Sequence, residues 1–471
     1  MERWSSHLVF ILAAIGAAVG LGNIWRFPAV LGANGGGAYL IPYLIAVFVF
    51  ALPLMVLEIA IGRRFRGTVV SAFSAIRPSF GIIGWLVCIV SFLITSYYLV
   101  ITGWTLAWLG FSVTGADVTF AAFTGSYQPV LFALSCALIT GVIVAMGVRA
   151  GIERMVVLLV PAVIDILLFM ALYSTILPGF HDAIAYLFTP DFSVLSNPGI
   201  WLAAFGQALF SLSVGEGIML TYGAYMAQEQ DIRRSALVVA VTDTLVALLA
   251  GIVIFPIVFS YGLSPAAGAD LAFTTLPIAF ASLPFGRFFS IAFFALLFFA
   301  AITTTVAFLE VCVAAVCGAM EWTRQKTATI LTGVLLAVTL LPALSYSTPG
   351  LSIAGEPVLD FMDRTVGTLG LNLTAILLAI VFTTCAPPSI FYTETGGPTR
   401  VNHAIFLLCK YLIPAVLILT VAIEILSGLQ LPVGSWLFGT FFPGTFPVAG
   451  GLALVMLLIL IAYGIVSYLR R

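Results

Sequence analysis

The sequence predicts an all-α integral membrane protein with twelve transmembrane helices. Hydrophobic residues make up 62% of its 471 residues and charged residues only 8%, whereas a soluble domain carries about 25% charged residues. The mean hydropathy is +1.20, and the long apolar stretches match the roughly 20 residues that a helix needs to cross a bilayer. The net charge of −1 and the lack of a basic tail argue against nucleic-acid binding, so the expected surroundings are a lipid bilayer.

Twelve apolar stretches, numbered here as spans 1 to 12, fit this length. They lie at 8–31, 39–62, 82–112, 130–148, 152–176, 199–225, 234–262, 288–320, 327–346, 366–391, 404–427 and 446–469. The longer mixed segments at 177–198 and 263–287 are expected to hold short helices on one side of the membrane. The prediction is a single transmembrane domain over 1–471.

Basic residues set the predicted orientation. With this numbering of spans, most of them fall on one side of the membrane: Arg3, Arg63, Arg64, Arg66, Arg77, Arg149, Arg154, Arg233, Arg234, Arg324, Lys326, Arg400, Lys410, Arg470 and Arg471. Only Arg26, Arg287 and Arg364 fall on the other side or within a span. Because cytoplasmic loops carry the excess of Lys and Arg, both termini are expected in the cytoplasm, with the chain in the plasma membrane.

The cysteines and histidines give little sign of chemistry. The six cysteines lie mostly in apolar stretches without CxxC spacing, which is typical of inert buried thiols. The three histidines are too scattered for a metal cluster. No nucleophile–base constellation is present, so neither an enzyme nor an organic cofactor is expected. The first apolar stretch lacks a small-residue cleavage site, which argues against a signal peptide.

Span 1 is interrupted by residues that weaken a helix. The segment GAAVGLGNIWRFP over 16–28 contains three glycines, a proline and the polar residues Asn23 and Arg26, and both glycine and a bare intramembrane arginine are costly there. A second interruption, FSLSVGEG over 210–217, lies in span 6. Corresponding breaks in two halves indicate an inverted-repeat transporter with its site at mid-membrane. The repeats would cover 1–176 and 199–391, followed by two additional helices over 404–469.

These breaks suggest a binding site. An unwound turn inside a bilayer leaves backbone N–H and C=O groups unpaired, at several kcal/mol each, unless a ligand satisfies them. Freed carbonyls can coordinate a small cation, and helix N-termini attract a carboxylate. The segment GAAVGLGN therefore suits a cation together with an anionic substrate group. The alternative is a glycine-faced seam between packed helices.

Three consecutive hydroxyls, from Thr303, Thr304 and Thr305, lie in span 8. Hydroxyl oxygens suit sodium, whereas back-bonding to carbonyls of the same helix is the structural alternative. Four acids also fall inside apolar segments: Glu58, Glu216, Asp243 and Glu310. An ionised carboxylate there needs a partner or a bound cation, and a hydrogen-bonded structural acid is the other interpretation.

Four motifs carry a resemblance to a known family. They are VGLGNIWRFP at 19–28 followed by NGGGAYLIPY at 34–43, then GQALFSLSVGEG at 206–217, and TYGAYM at 221–226 leading into QDIRRSA at 230–236. With these motifs the chain resembles the neurotransmitter:sodium symporters of the bacterial and archaeal amino-acid type, across spans 1 to 10 in order. The resemblance implies that spans 1 and 6 unwind at mid-membrane and that the substrate lies between them and spans 3 and 8.

The resemblance also implies roles for individual residues. The first sodium site would use the Ala18 carbonyl, the side chains of Asn23, Ser211 and Asp243, and the substrate carboxylate. The second would use the carbonyls of Gly16, Val19 and Ala300 and the hydroxyls of Thr303 and Thr304. The substrate carboxylate would meet the Leu21 and Gly22 amides and the Tyr98 hydroxyl. Phe210 would be the lid, and Arg26 and Asp363 would pair as the outer gate. The substrate side chain would be lined by Ile94, Ser213, Glu216, Thr305 and Phe308.

This sequence departs from the family pattern at several of these positions. Gly20 stands near the position where monoamine carriers have an aspartate, so an amine without a carboxylate is not the expected substrate. Asp243 stands where chloride-dependent members have an asparagine, beside a chloride site that would also involve Tyr43, Gln207 and Ser211. A fixed carboxylate there would replace the anion, so transport is expected to be independent of chloride. At the inner gate, Arg3 lacks the usual spacing from Trp4, and Gly318 stands where an acidic partner is expected.

Glu216 departs from the pattern of the family that the chain resembles, whose members usually have an apolar or aromatic residue there. It is either ionised and accepts a hydrogen bond from an amine-bearing substrate, or it is protonated or water-bound and tunes the polarity of the pocket. The expected function is a symporter that carries an amino acid with two sodium ions. The alternative is a receptor or accessory subunit that binds without transporting. The sequence leaves the particular amino acid and the oligomeric state open.

Overall fold

A computed structural model describes residues 2–263 and 271–428. Its secondary structure is helical apart from one short antiparallel hairpin, Ser352–Ile353 with Glu356–Pro357. Within the described residues, nine helices are long and apolar enough to cross a membrane, or ten if a bent pair at the start counts as one crossing. These helices are Gly36–Phe65, Pro78–Thr114, Gln128–Ala145, Val148–Ser174, Ile232–Ser260, Gly286–Met320, Arg324–Ser345, Val358–Cys385 and Arg400–Ile423, and the bent pair is His7–Ala18 with Gly22–Ala33.

These helices match the predicted spans 1–5 and 7–11 in order. The segment predicted as span 6 holds two short helices, Pro198–Ser211 and Ile218–Ala224. Span 12, predicted at 446–469, lies outside the described residues. The mixed segments contain the predicted short helices, Phe180–Phe188 in the first and Leu276–Ser282 in the second. Three more short helices, outside the predicted mixed segments, connect the spans: Val69–Ile76, Phe120–Thr124 and Pro388–Thr395.

The predicted bounds of span 10 were wrong at both ends. The helix covers Val358–Cys385 rather than 366–391. Pro387 and Pro388 stop it, because proline cannot donate a backbone hydrogen bond and restricts the residue before it. It begins earlier because Asp360, Asp363 and Arg364 belong to its first turns, and these charges lower the hydropathy of a stretch that is nonetheless helical.

The break in span 1 is local and sharp. The helix His7–Ala18 begins with Ser6, whose side chain accepts a hydrogen bond from the Val9 amide, and it ends where Val19 turns extended. The chain resumes as a helix at a bend of 49°. The amide of Gly20 donates to Oδ1 of Asn23 at 3.2 Å. A side chain thus takes the place of the missing backbone acceptor at this turn.

The break in span 6 is longer, over residues 212–217. Ser213, Gly215 and Gly217 have positive φ angles of 49°, 87° and 77°, a region that glycine adopts without steric cost. The amide of Gly215 donates to Oε1 of Glu58 at 2.5 Å. This intramembrane acid of span 2 therefore partners the backbone that the break frees.

The two broken segments lie inside a tightly packed core. Spans 2 and 6 approach so closely that a Cβ atom on Gly62 would collide with the Leu220 carbonyl, and one on Gly223 would lie 2.6 Å from the Ile59 oxygen. Spans 3 and 8 form the most extensive helix pairing in the described part of the chain. The breaks are therefore shielded from lipid, which is the condition for irregular backbone at membrane depth.

Candidate ion and substrate site

Three buried polar side chains join spans 1, 6 and 7. Nδ2 of Asn23 donates to Oδ1 of Asp243 at 2.7 Å and lies 2.9 Å from Oγ of Ser211. The Ser211 hydroxyl donates to Oδ2 of Asp243 at 2.8 Å. Asp243 and Asn23 have no exposed surface. The structure thus brings together three of the residues expected at the first sodium site, with the carboxylate oxygens facing the broken segments.

The other expected chloride-site equivalents lie beside this cluster. Nε2 of Gln207 donates to the Gly22 carbonyl at 2.7 Å. Tyr43 is fully buried, packs against Phe27 and lies near Ser211 and Asp243. Its hydroxyl and Oε1 of Gln207 have no hydrogen-bond partner within the described residues. These polar atoms are buried beside the Asp243 carboxylate.

The hydroxyls of span 8 meet the first half of span 1. Oγ1 of Thr304 lies 3.3 Å from the Ala17 carbonyl and 3.5 Å from the Gly16 carbonyl, and it also contacts the Ala300 carbonyl at 3.2 Å. Oγ1 of Thr303 donates to Ala300 at 2.9 Å. Both hydroxyls therefore back-bond within their own helix, and Thr304 in addition faces the carbonyl oxygens at the end of the first helix.

Tyr98 of span 3 contacts the break in span 1 directly. Its hydroxyl accepts a hydrogen bond from the Leu21 amide at 2.9 Å. Its ring centre lies 6.5 Å from that of Phe210 and 6.2 Å from that of Phe308. A Cβ atom on Gly20 would lie 2.7 Å from both the Tyr98 and the Thr304 hydroxyls. A side chain at position 20 would therefore displace these two hydroxyls, where span 3, span 8 and the break converge.

A small enclosed cavity lies at this convergence. Most of the residues expected to contact the substrate line it, and its lining comprises Ala18, Gly20, Gly22, Tyr98, Phe210, Ser213, Glu216, Thr304 and Phe308. Three residues expected to contact the substrate do not line it: Leu21, Ile94 and Thr305. The Leu21 amide donates to the Tyr98 hydroxyl. Ile94 is buried one turn before Tyr98, and the Thr305 hydroxyl lies 3.0 Å from that of Thr140.

A larger cavity of about 460 Å³ lies on the other side of Phe210. Arg26, Asp363 and Phe210 all line it, and the Arg26 guanidinium lies over the Phe210 ring at 4.7 Å. Among the described residues, Arg26 and Asp363 form no ion pair within 4 Å. The predicted ion pair between Arg26 and Asp363 therefore stays a prediction, and it is expected in a state in which this cavity is more closed. Tyr97 also lines this cavity; sequence reasoning missed it, and the only signal was its place beside Tyr98.

The comparisons with known proteins agree with this geometry. The sequence model of the sodium:neurotransmitter symporter family matches residues 1–128 and 122–470. An uncharacterized sodium-dependent transporter of Haemophilus influenzae is 32% identical over 80% of this chain and 88% of its own length. The transporter YhdH of Bacillus subtilis, also described as uncharacterized and sodium-dependent, is 32% identical over 90% of this chain and 97% of its own.

A solved structure also matches this chain. The crystal structure of MhsT in complex with L-phenylalanine superposes with a TM-score of 0.83 at 36% identity, covering 90% of this chain and 99% of that one. A family match over nearly the whole chain and long apolar helices identify a multi-pass membrane protein. The chain therefore belongs to the sodium:neurotransmitter symporter family.

Proposed function

We propose that the protein is a sodium-coupled symporter that moves an amino acid, or an amino-acid-like zwitterion, into the cell by alternating access. The observation that carries this proposal is the meeting of two broken segments around oxygen ligands. Asn23, Ser211 and Asp243 converge from three spans, and Thr304 faces the end of the first helix. A site of this kind binds small cations and an anionic group at once.

Two sodium ions fit the two clusters. The first would lie among the Ala18 carbonyl, Asn23, Ser211, Asp243 and the substrate carboxylate. The second would lie among the Gly16, Val19 and Ala300 carbonyls, Thr303 and Thr304. Each cluster supplies only oxygen ligands, and the carboxylate of Asp243 is the one fixed charge in either. Binding of both ions would shift the population between outward-facing and inward-facing states, because each ion stabilises the state that presents its ligands.

The substrate would bind between the two ion clusters. Its carboxylate would meet the Leu21 and Gly22 amides and the Tyr98 hydroxyl, which already holds the Leu21 amide. Phe210 would close over it, since this ring separates the small cavity from the larger one. The related transporter MhsT was crystallised in complex with an amino acid, L-phenylalanine, which supports the same substrate class here.

Two ions provide enough driving force for strong accumulation. Each charge gains about 2.3 kcal/mol per 100 mV of membrane potential, and a tenfold sodium gradient adds about 1.4 kcal/mol per ion. For a zwitterionic substrate this amounts to roughly 7 kcal/mol, or about 10⁵-fold accumulation with tight coupling.

With both termini in the cytoplasm, the larger cavity beside Arg26 and Asp363 would open to the outside.

Chloride independence is the second part of the proposal. Asp243 contributes a fixed negative charge beside Tyr43, Gln207 and Ser211. An anion bound there would repel this carboxylate, so the protein carries its own charge in place of chloride.

The inverted repeats over 1–176 and 199–391 belong to the same proposal, supported by the corresponding breaks in spans 1 and 6.

The test is uptake of radiolabelled amino acids into proteoliposomes. An inward sodium gradient is compared with an inward potassium gradient, each with chloride and with gluconate, and single amino acids then compete for uptake. The proposal predicts uptake that requires sodium and is independent of chloride. Sodium-dependent binding without uptake would instead favour a receptor or accessory subunit. Uptake that is equal in sodium and potassium would rule out the symporter.

A further inference from the structure

Glu216 presents an unsatisfied carboxylate inside the membrane. The residue is 1% exposed, and neither of its carboxylate oxygens has a hydrogen-bond partner among the described residues. Its position is well fixed, because its carbonyl accepts a hydrogen bond from the Ser91 hydroxyl at 2.6 Å. A buried carboxyl group without a partner is strongly unfavourable, so it requires an explanation.

Ser213 is the neighbouring hydroxyl that faces Glu216. The Ser213 hydroxyl donates its hydrogen to the Ala17 carbonyl at 2.9 Å. Glu58 is itself an acid that accepts from the Gly215 amide. Arg26 lines the neighbouring larger cavity, where its guanidinium lies over the Phe210 ring. A donor bound in the adjoining cavity would satisfy the carboxylate oxygens, which have no hydrogen-bond partner among the described residues.

The carboxylate lines the small cavity between the two breaks. This cavity is about 10 Å³, which is room for about one water molecule. The same cavity is lined by Gly22, whose amide is proposed to hold the substrate carboxylate, and by the Phe308 and Tyr98 rings. A substrate anchored at Gly22 thus has Glu216 within the same enclosed space, with aromatic rings around its side chain.

We propose that Glu216 selects an amino acid whose side chain ends in a hydroxyl or ammonium hydrogen-bond donor, which pairs with the free carboxylate. This inference rests on the proposed function and specifies its substrate class. An apolar side chain of equal size would leave the carboxylate buried and unpaired, which is a stronger basis for rejection than a difference in shape.

The experiment measures binding of matched ligand pairs to the purified protein in sodium, by ligand-induced shifts in thermal unfolding. The first pair is L-serine and L-2-aminobutyrate, and the second is L-2,4-diaminobutyrate and L-norvaline. Within each pair only the donor group differs. We expect the donor-bearing member to bind about tenfold to a hundredfold more tightly, as for a hydrogen bond to a charged group. The pair with the larger ratio identifies the donor as a hydroxyl or an ammonium group.

Two substitutions then assign the effect to Glu216. Glu216→Gln keeps the shape and one acceptor, so it should lower the ratio for the ammonium pair more than the ratio for the hydroxyl pair. Glu216→Leu should remove or reverse the preference for the donor-bearing ligand in both pairs. Glu229→Gln, on the exposed segment after span 6, is the matched control and should leave both unchanged. Sodium-dependent thermal stabilisation shows that each variant retains its ion sites and its fold.

The outcomes separate this inference from the proposed function. Equal or tighter binding of the apolar members, or ratios that Glu216→Leu leaves unchanged, would overturn the role of Glu216 while sodium-dependent binding persists. Failure of the proteoliposome assay to show sodium-dependent uptake of any amino acid would instead overturn the symporter itself. Donor-selective binding that disappears in Glu216→Leu supports the role of Glu216, and sodium-dependent uptake of the same ligand supports the symporter.

Discussion

Arg324, at the start of span 9, forms an ion pair with Glu310 of span 8, whose side chain has no exposed surface. The Tyr225 hydroxyl donates to the same carboxylate at 2.7 Å. Arg324 also lies 3.4 Å from Glu2, whose Oε2 accepts from the Val148 amide at 2.6 Å. This network connects the first residues of the chain to spans 5, 6, 8 and 9. It lies at the end of the helices opposite the large cavity.

The N-terminal segment also contacts span 6 through Trp4. Its indole N–H donates to the Tyr222 carbonyl at 3.0 Å, and its ring makes edge contacts with Tyr222 and Tyr225. Neither Arg3 nor Gly318 takes part in the ion pairs of the described residues at this end. The ion pairs at this end are formed by Glu2, Glu310 and Arg324.

Removing Arg324 should open the end of the molecule near Trp4. Arg324→Ala leaves Glu310 buried without its cation, and breaking a buried pair from one side costs about 3–5 kcal/mol. We expect a lower unfolding temperature and weaker apparent sodium binding, because the inward-facing state gains population. Thermal unfolding at several sodium concentrations measures both effects.

The paired replacement is the control for this prediction. Arg324→Met together with Glu310→Leu removes both charges, so it should recover most of the stability that Arg324→Ala loses. Equal losses in the single and the double variant would show that the pair contributes nothing specific. Arg364, which pairs with Glu356 at a partly exposed position, offers a surface comparison: Arg364→Ala should change stability by about 1 kcal/mol or less.

Asp243→Asn should make transport dependent on chloride. The substitution keeps the shape of the side chain but removes the fixed negative charge next to Ser211 and Tyr43. We expect little uptake in gluconate and partial recovery in chloride, whereas the unchanged protein transports equally in both. Uptake by the variant that is the same in the two anions would contradict the assignment of Asp243 as the replacement for chloride.

Thr304→Val should weaken sodium binding while the packing is preserved. The valine side chain has nearly the same shape, but it lacks the hydroxyl that faces the Gly16 and Ala17 carbonyls. Loss of one oxygen ligand to a cation should lower sodium affinity about tenfold to a hundredfold. The sodium dependence of uptake at saturating substrate measures this change.

A second buried threonine provides the matched control for Thr304→Val. Thr339 of span 9 is fully buried, and its hydroxyl has no partner among the described residues. Thr339→Val should leave the sodium dependence unaltered. If both variants change sodium affinity alike, loss of a buried hydroxyl in general, rather than loss of a sodium ligand, explains the result.

The sequence was most informative where local chemistry determines the structure. The breaks at Gly20 and Gly215 follow from glycines and polar residues inside apolar segments, and both are present. The end of span 10 was missed although Pro387 and Pro388 signal it, because the hydropathy of the stretch continues past them. The bounds of a helix depend on backbone hydrogen bonding as well as on hydrophobicity.

Long-range contacts could not be predicted from the sequence. The pairing of Glu2 with Arg324 joins residues from opposite parts of the chain, and no local pattern encodes it. Glu310 was recognised as an intramembrane acid, yet its partner depends on how spans 8 and 9 turn back on each other. The position of Arg26 over Phe210, rather than beside Asp363, likewise depends on how far the outer cavity has closed.

The outer gate gives a prediction that depends on this closure. Arg26 and Asp363 line one cavity without an ion pair in the described structure, so their attraction should matter only when substrate and sodium draw the gate shut. Arg26→Ala and Asp363→Asn should each speed substrate release from the sodium-loaded protein, because the closed state loses a charge pair. The exchanged variant, with Arg26→Asp and Asp363→Arg, should restore slow release in part. Dissociation of a radiolabelled substrate measures the rates. Equal release from all four proteins would show that Phe210 alone retains the substrate.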